Sequence, residues 1–153
     1  MKPDEAVILV VDDDPASLDV AVRMLEREGY RTQRATSGPA CLDIVQSEKI
    51  DLVLLDVMMP GMDGLQVCTA LRALEVGKRL PIILLTARTD METRVGGIHH
   101  GISEFLTKPI NRHELGARVA AQLHILDLTR QLEALERRLD TKRPSSPRPA
   151  TPR

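Results

Sequence analysis

The sequence predicts a doubly wound α/β domain, in which helices cover both faces of a five-stranded parallel sheet. Short apolar runs of strand length alternate with segments of helical periodicity, which is the pattern of repeated βα units. Most of these runs are apolar at consecutive positions, as expected for strands that are buried on both faces. At 153 residues, with 42% hydrophobic and 28% charged residues, the chain has the composition of a single soluble globular domain.

Five segments are predicted to form the strands. Four of them are apolar: VILVV at 7–11, DLVLL at 51–55, PIILL at 81–85 and the shorter EFL at 104–106. The remaining segment, RTQRA at 31–35, is half polar and therefore suits an edge of the sheet. Right-handed crossovers between parallel strands restrict the topology to a doubly wound sheet.

Helices are predicted between the strands and after the last one. The first, at 15–28, carries Leu18, Val22 and Leu25 at helical spacing and ends at Gly29. Asp14 before Pro15 suits a helix N-cap. The other helices between strands are expected at 39–48, 65–74 and 91–100, and a long helical run continues from Asn111 to about Asp140.

The chain is predicted to have three parts. The domain proper covers 1–123, and a helical extension covers 124–140. The segment TKRPSSPRPATPR at 141–153 is rich in proline and basic residues and lacks acids. Such a composition cannot form a packed core, so a disordered tail or linker is expected there.

Polar side chains gather at one edge of the predicted sheet. Asp12 and Asp13 follow the first strand, and Asp56 follows the third. In the strand order 2-1-3-4-5, which is common in such sheets, these two strands are neighbours and their carboxyl ends form the ligand site. Thr86 and Lys108 follow the fourth and fifth strands. We therefore expect three carboxylates, a hydroxyl and an ammonium group at one place.

This set of groups suits phosphoryl chemistry. A divalent cation such as Mg²⁺ prefers carboxylate oxygens and is often completed by a phosphate. A carboxylate can also accept a phosphoryl group as a nucleophile, and Asp56 on the central strand is best placed to do so. Lys108 would neutralise charge on the transferred group, the Thr86 hydroxyl could bind one of its oxygens, and Ala87 leaves room for it.

Four segments together resemble the receiver domain of two-component response regulators: ILVVDDDP, LVLLDVMMPGMDGLQV, PIILLTA and EFLTKPI. The resemblance runs from about 7 to 123, and DVMMPGMDG with a downstream KP is its most specific part. The strand order 2-1-3-4-5 is the order of this family, so the resemblance, and not the residue pattern alone, supports it.

The resemblance implies that Asp56 accepts a phosphoryl group from the phosphohistidine of a sensor histidine kinase or phosphotransfer protein. It also implies that Asp13, Asp56 and the main-chain carbonyl of Met58 bind Mg²⁺, with Mn²⁺ as a substitute, while Asp12 acts largely through metal-bound water. The chain would assist its own phosphorylation and dephosphorylation, and it would not be a turnover enzyme.

The resemblance further implies that Thr86, Ala87 and Lys108 contact the phosphoryl group and that the peptide bond between Lys108 and Pro109 is cis. Thr86 and Phe105 would form the switch that changes a protein-binding surface. A second interpretation of Phe105, as a core-filling residue, stays open. The segment GISEF at 101–105 departs from the family pattern GADDY, which affects the expected choice of partner.

The last helix carries a heptad pattern. Its apolar residues after Ala121 are spaced 4, 3, 4, 3 and 4 residues apart, and we call the following five the seam: Ile125, Leu128, Leu132, Leu135 and Leu139. Glu133 and Arg137 are predicted to form an ion pair on the flank of the seam. We expect the seam to form a short coiled coil in a homodimer. Two alternatives are a partner protein's helix and folding of the seam onto its own domain.

Composition bears on location and partners. The net charge of –1, one Phe, one Tyr and no Trp argue against direct binding of nucleic acid. Cys41 and Cys68 suit small buried residues in a reducing compartment, and neither a signal peptide nor a membrane-spanning run is evident, so a cytoplasmic protein without membrane contact is expected. The output would be a separate target protein or an output domain that this sequence lacks.

Two other functions compete with the leading interpretation. The first is an inert scaffold that acts by dimerisation. The second is a Mg²⁺-dependent phosphohydrolase related to haloacid dehalogenases, which also uses an aspartate at a strand end. That class carries a second acid two residues after the nucleophile, where this chain has Met58.

Overall fold

The computed structural model describes residues 1–87 and 100–142 and confirms the predicted architecture. Five parallel strands form one sheet in the order β2-β1-β3-β4-β5. Their bounds are, in chain order, β1 Val7–Val11, β2 Arg31–Ala35, β3 Leu52–Asp56, β4 Ile82–Thr86 and β5 Glu104–Thr107. β3 and β4 each lie one residue later than predicted, so Asp56 and Thr86 are themselves the last residues of their strands.

Three helices connect the strands within the described residues, and a longer one follows them. Their bounds are α1 Pro15–Arg27, α2 Gly38–Ser47, α3 Gly64–Ala73 and the last helix Arg112–Lys142, with short 3-10 helices at Pro3–Glu5 and Glu75–Gly77. The predicted helix at 91–100 lies outside the described residues except for His100. The last helix includes Thr141 and Lys142, which the sequence placed in the tail, and 143–153 lie outside the described residues.

The sheet is buried on both faces, and its side chains divide between two apolar clusters. Ile8 and Val10 point to the cluster under α1 and the last helix. Leu9 and Val11 point to the cluster under α2 and α3. This alternation is the two-residue period of a strand, and it explains why the strand sequences are apolar at consecutive positions. Cys41 and Cys68 are free and buried, as predicted.

Side chains cap the helices that start at the carboxyl edge of the sheet. The Asp14 carboxylate accepts the backbone N–H of Ser17, which confirms Asp14 as the cap of α1. Ser37 accepts from Ala40 to cap α2. Asp63 accepts the backbone N–H of Gln66, whose side chain in turn accepts the backbone N–H of Asp63. These caps fix the helix starts beside the acidic residues.

β2 is an edge strand, as its polar sequence predicted. Arg31, Gln33 and Arg34 are exposed, while only Ala35 is buried. Arg34 donates to Asp19 of α1 at 3.2 Å. The outer side of β2 is therefore covered with charged and polar groups.

The last helix packs on the domain beyond Leu123, where the sequence placed the end of the domain. Leu126 is 5% exposed and belongs to the same cluster as Leu115 and Val119. Among the described residues Glu133 pairs with Arg79 and makes no ion pair with Arg137, so that prediction was wrong. The reason is that Glu133 faces the domain.

Within residues 1–87 and 100–142, no helix has both the length and the apolar character needed to cross a bilayer.

Candidate functional site

The carboxyl edge of the sheet brings the predicted acids together. β1 and β3 are parallel neighbours, with Val11 opposite Leu55, so the residues that follow them in space are adjacent. One carboxylate oxygen from each of Asp12, Asp13 and Asp56 lies within 4.8 Å of the other two. The topology alone is therefore enough to assemble a cluster of three carboxylates.

Asp56 lies in a tightly packed environment. Every residue of β3 is buried, and the Asp56 side chain is 6% exposed. α3 begins at Gly64 directly against this strand end, where a Cβ atom would lie 2.7 Å from the Asp56 carbonyl oxygen and 2.8 Å from Cα of Val57. Glycine is thus required at this position for α3 to start so close to the site.

The three consecutive aspartates have different environments. Asp13 is exposed, and Asp14 caps α1. Asp12 is buried, and its Oδ1 accepts the backbone N–H of Asp14 at 2.9 Å. Burial raises the pKa of Asp12, the hydrogen bond from the Asp14 N–H opposes this, and the charge of Asp56 raises the pKa further, with lesser effects from Lys108, which lowers it, and Asp13, which raises it. The environment of Asp12 in the folded chain therefore disfavours the charged form of its carboxyl group.

Lys108 is the cation of the site. Its Nζ lies 3.1 Å from Asp56 Oδ1 and 3.8 Å from Asp12 Oδ2. Its backbone N–H donates to the carbonyl of Thr86 at 2.8 Å, and the Lys108–Pro109 peptide bond is cis. In the part of the chain that the structure describes, three carboxylates thus lie beside one ammonium group, which leaves an excess of negative charge among these residues.

Thr86 supplies a polar atom that the described residues do not satisfy. Its side chain is fully buried, and its Oγ1 has no hydrogen-bond partner among the residues that the structure describes. Buried hydroxyls are normally paired, because an unpaired one costs about 1–3 kcal/mol. Ala87 beside it is exposed and small. The hydroxyl is therefore suited to a ligand oxygen that enters the site.

The donor set fits a hard divalent cation. All three side chains of the cluster offer carboxylate oxygens, which are the ligands that Mg²⁺ prefers. Met58 is 72% exposed, and the binding of a cation by its main-chain carbonyl stays a prediction. A cation there would also offset the excess negative charge.

Phe105 lies on the strand beside Thr86. In the β4–β5 register Phe105 is opposite Leu84, and Thr107 is opposite Thr86. The ring is half-buried and packs against the cluster under α2 and α3. This position is compatible with both interpretations, the switch and the core filler, and the switch stays a prediction.

Sequence reasoning missed two polar residues that lie away from the acidic cluster, at the amino edge of the sheet. The Arg72 guanidinium donates to the carbonyls of Gly77, Leu80 and Gly101, which ties the end of α3 to the segments before β4 and β5. Asp51 is fully buried at the start of β3. Helical spacing placed Arg72 in the last turn of α3, but no sequence signal indicated which carbonyls it reaches. A charged residue next to a fully apolar run was the signal for Asp51.

Comparison with known proteins finds one family. Residues 8–120 match the model described as the response regulator receiver domain. The chain is 46% identical over 116 residues to the response regulator MprA of Mycolicibacterium vanbaalenii, a match that covers 76% of this chain and 49% of MprA. This chain therefore spans about half the length of the curated relatives it matches.

Solved structures agree in fold. The receiver domain of the sensor histidine kinase PA1611 from Pseudomonas aeruginosa, which has a magnesium ion coordinated in its active-site cleft, matches with a TM-score of 0.73 at 31% identity, over 78% of this chain and 98% of that one. NtrX from Brucella abortus matches with a TM-score of 0.79 at 28% identity, over 85% of this chain and 29% of NtrX.

Proposed function

The chain belongs to the response regulator receiver family, and we propose that it accepts a phosphoryl group on Asp56 from the phosphohistidine of a sensor histidine kinase or phosphotransfer protein. The observation that carries this proposal is the arrangement around Asp56: two further carboxylates, the Lys108 ammonium at 3.1 Å, and the Thr86 hydroxyl, which has no hydrogen-bond partner among the described residues. The inert-scaffold alternative does not account for a complete set of these groups at one strand edge.

In the proposed reaction a carboxylate oxygen of Asp56 attacks the phosphorus atom. The new O–P bond forms as the P–N bond breaks, and the electron pair of that bond returns to the imidazole nitrogen of the donor. Lys108, which pairs with Asp56 in the unmodified chain, turns to a phosphoryl oxygen of the product. The Thr86 hydroxyl donates to another phosphoryl oxygen, which gives this buried group a partner.

Asp12, Asp13, Asp56 and the main-chain carbonyl of Met58 would hold Mg²⁺ or Mn²⁺, with Asp12 acting largely through water. The cation supplies neutralisation of charge on the transferred group. Magnesium in the cleft of the PA1611 receiver, which is 31% identical to this chain, supports this assignment. The chain is then a phosphoacceptor that assists its own phosphorylation and dephosphorylation, and not an enzyme that turns over a substrate.

Phosphorylation is proposed to change the surface around β5 and the last helix through Thr86 and Phe105. The output is a separate target protein or a further domain, as in relatives that are about twice as long. We expect the protein to act in the cytoplasm, where its two free buried cysteines would stay reduced. Direct binding to nucleic acid or membrane is not part of the proposal.

The phosphoacceptor proposal is tested by intact mass after incubation with acetyl phosphate and Mg²⁺. We expect one phosphoryl adduct on the wild-type chain, none on Asp56→Asn, and none after chelation of the cation. If the folded chain takes no adduct from acetyl phosphate or from a panel of phosphorylated kinases, the proposal is wrong and the inert-scaffold alternative replaces it.

We also propose that a second copy of the chain covers the seam. Its five residues (Ile125, Leu128, Leu132, Leu135, Leu139) are each 51–57% exposed although they are large and apolar. Their 3–4 spacing is self-complementary, as in a parallel or antiparallel two-helix coiled coil.

Sedimentation of the wild-type chain beside the variant Leu132→Glu tests the proposed dimer. We expect a concentration-dependent dimer of the wild type that Leu132→Glu does not form. Gln131→Glu, on the flank of the seam, is the control and should still form the dimer. A wild-type monomer throughout would leave a partner protein's helix as the occupant.

A further inference from the structure

The last helix passes the amino edge of the sheet, on the side of the domain opposite the acidic cluster. A cleft of about 440 Å³ separates it there from the turn before β4. Leu126 is the last buried residue of the helix within the described range, and every later apolar residue is exposed. Apolar packing therefore does not account for the position of the helix beyond Leu126.

Arg130 reaches across this cleft to the start of β3. Its Nη1 donates to Asp51 Oδ1 at 3.0 Å, and the Asp51 side chain is 1% exposed. The other oxygen of Asp51 accepts the backbone N–H of Val7 at 2.9 Å. Arg130 is thus the only cation paired with this buried carboxylate among the described residues, and removal of Arg130 would leave a buried charge without compensation.

A second ion pair lies one turn further along the helix. Glu133 pairs with Arg79, which lies in the turn before β4. Arg130 and Glu133 are three residues apart and so project from the same side of the helix. Among the described residues, three ion pairs therefore join the helix beyond Leu126 to the rest of the chain: Asp127 with the Met1 ammonium group at 3.0 Å, Arg130 with Asp51, and Glu133 with Arg79. The last two have opposite polarity, one to the start of β3 and one to the segment before β4.

The seam lies on the other side of the same helix. At about 100° per residue, the centre of the seam is rotated by roughly 140° from the side that carries Leu126, Arg130 and Glu133. A rotation of the helix that exposed Arg130 would therefore turn the seam towards the domain. The contacts at the amino edge fix which face of the helix is presented to solvent.

We propose that Asp51, Arg79, Arg130 and Glu133 form a clamp that holds the last helix against the amino edge of the sheet and keeps the seam facing outward for a second copy. These four are positioning residues, since none of them belongs to the seam. The part that concerns the dimer rests on the proposed function, whereas the clamp itself does not.

Hydrogen exchange of the full-length chain tests the clamp directly. In Arg130→Gln the amide protection of residues 127–135 should fall about tenfold, because local opening of this segment becomes easier. Arg137→Gln is the matched control, since Arg137 lies on the same helix and makes no ion pair within the described residues. Equal protection in Arg130→Gln and the wild type would overturn the clamp.

A charge swap separates a specific pair from general damage to the helix. Arg79→Glu and Glu133→Arg should each lower protection of the same segment by several-fold, since each places like charges together. The double variant should regain wild-type protection. Failure of the double variant to recover would exclude the Arg79–Glu133 pair from the clamp.

Sedimentation of the same variants tests the link to the dimer. Arg130→Gln should raise the Kd of the dimer about tenfold, and Arg137→Gln should leave it unchanged. A wild-type chain that is monomeric would overturn the proposed dimer, while the exchange experiment still decides the clamp. A dimer that Arg130→Gln does not weaken would overturn the positioning role.

Discussion

The two edges of the sheet use charged residues in opposite ways. At the carboxyl edge, Asp12, Asp13 and Asp56 lie together, and Lys108 pairs with Asp12 and Asp56. At the amino edge, Asp51 pairs with Arg130 and Glu133 pairs with Arg79. Within residues 1–87 and 100–142, the acidic cluster therefore has more carboxylates than cations, whereas the two acids at the amino edge each have a cationic partner.

This difference distinguishes charged residues that stabilise the fold from charged residues that form a binding site. A buried carboxylate that serves only the fold is stable when its partner is part of the chain, as for Asp51. A buried carboxylate such as Asp12, whose pKa is raised by burial and by its neighbours, costs stability until a cation arrives. Charge balance within a cluster is thus a criterion for distinguishing a structural cluster from a binding site.

The largest expected difference between the edges is in reaction rate. Lys108→Gln should slow phosphorylation of Asp56 by roughly a hundredfold, because one charged contact to the transferred group is lost. Arg130→Gln should leave the rate within experimental error. The measurement is the time course of the phosphoryl adduct by intact mass with acetyl phosphate and Mg²⁺. Equal rates for the two variants would remove the distinction between the edges.

Cation binding should stabilise the chain through the carboxyl edge alone. At about 100 times its Kd, Mg²⁺ should raise the free energy of unfolding by about 2.7 kcal/mol, by mass action. Asp13→Asn, at an exposed position of the cluster, should reduce this increase strongly. Asp43→Asn, at an exposed position of α2 outside the cluster, is the control and should keep it. Thermal melts with and without Mg²⁺ give the answer, and a full Mg²⁺ effect in Asp13→Asn would count against the cation site.

The carboxyl edge should also make the stability of the chain depend on pH, through the buried carboxyl group of Asp12. Because the pKa of Asp12 in the folded chain lies above its ordinary value of 3.8, the folded chain binds more protons than the unfolded chain just above that pH. The contribution of Asp12 to stability is therefore full below pH 3.8 and falls as pH rises through the raised pKa.

The variant Asp12→Asn should not show this fall in stability with rising pH, because asparagine does not ionise. Without divalent cations at neutral pH, the variant should melt a few degrees higher than the wild type, and the difference should shrink as the pH falls through the raised pKa of Asp12 and be lost below pH 3.8. Melts in the presence of a chelator across this pH range provide the measurement. A variant that is less stable than the wild type at neutral pH would contradict the assignment of burial as the dominant effect on Asp12.

The smallest expected effect concerns the exposed pair of the clamp. The Arg79 side chain is 66% exposed, so Glu133→Gln should lower the free energy of unfolding by less than about 1 kcal/mol. High salt should reduce even this difference, because exposed charges are screened. Denaturant unfolding at low and high salt tests both points. A loss of several kcal/mol would mean that Glu133 has a further structural role.

The sequence was sufficient for the sheet and for the residues of the carboxyl edge. Strands buried on both faces appear as consecutive apolar residues, and a parallel sheet brings the residues that follow its strands to one edge. Asp12, Asp13, Asp56, Thr86 and Lys108 could therefore be grouped before their distances were known. The family resemblance supplied the strand order.

The amino edge could not be predicted in the same way. Helical spacing paired Glu133 with Arg137, whereas the structure pairs Glu133 with Arg79, which is distant in the sequence. Which charges meet across a cleft depends on how a helix is rotated against its domain, and local spacing carries no information on that rotation. For the same reason the sequence placed the end of the domain at Leu123 and did not indicate that Leu126, which lies outside the seam, packs on the domain.

The polar edge strand β2 has a consequence for assembly. An edge strand offers unpaired backbone groups to which a strand from another molecule could add, and exposed arginines at Arg31 and Arg34 discourage such additions by repulsion and by the cost of removing their water. Growth of the sheet from one molecule to the next is thereby suppressed on this side. This charged edge therefore favours self-association through other surfaces of the molecule over the addition of strands at β2.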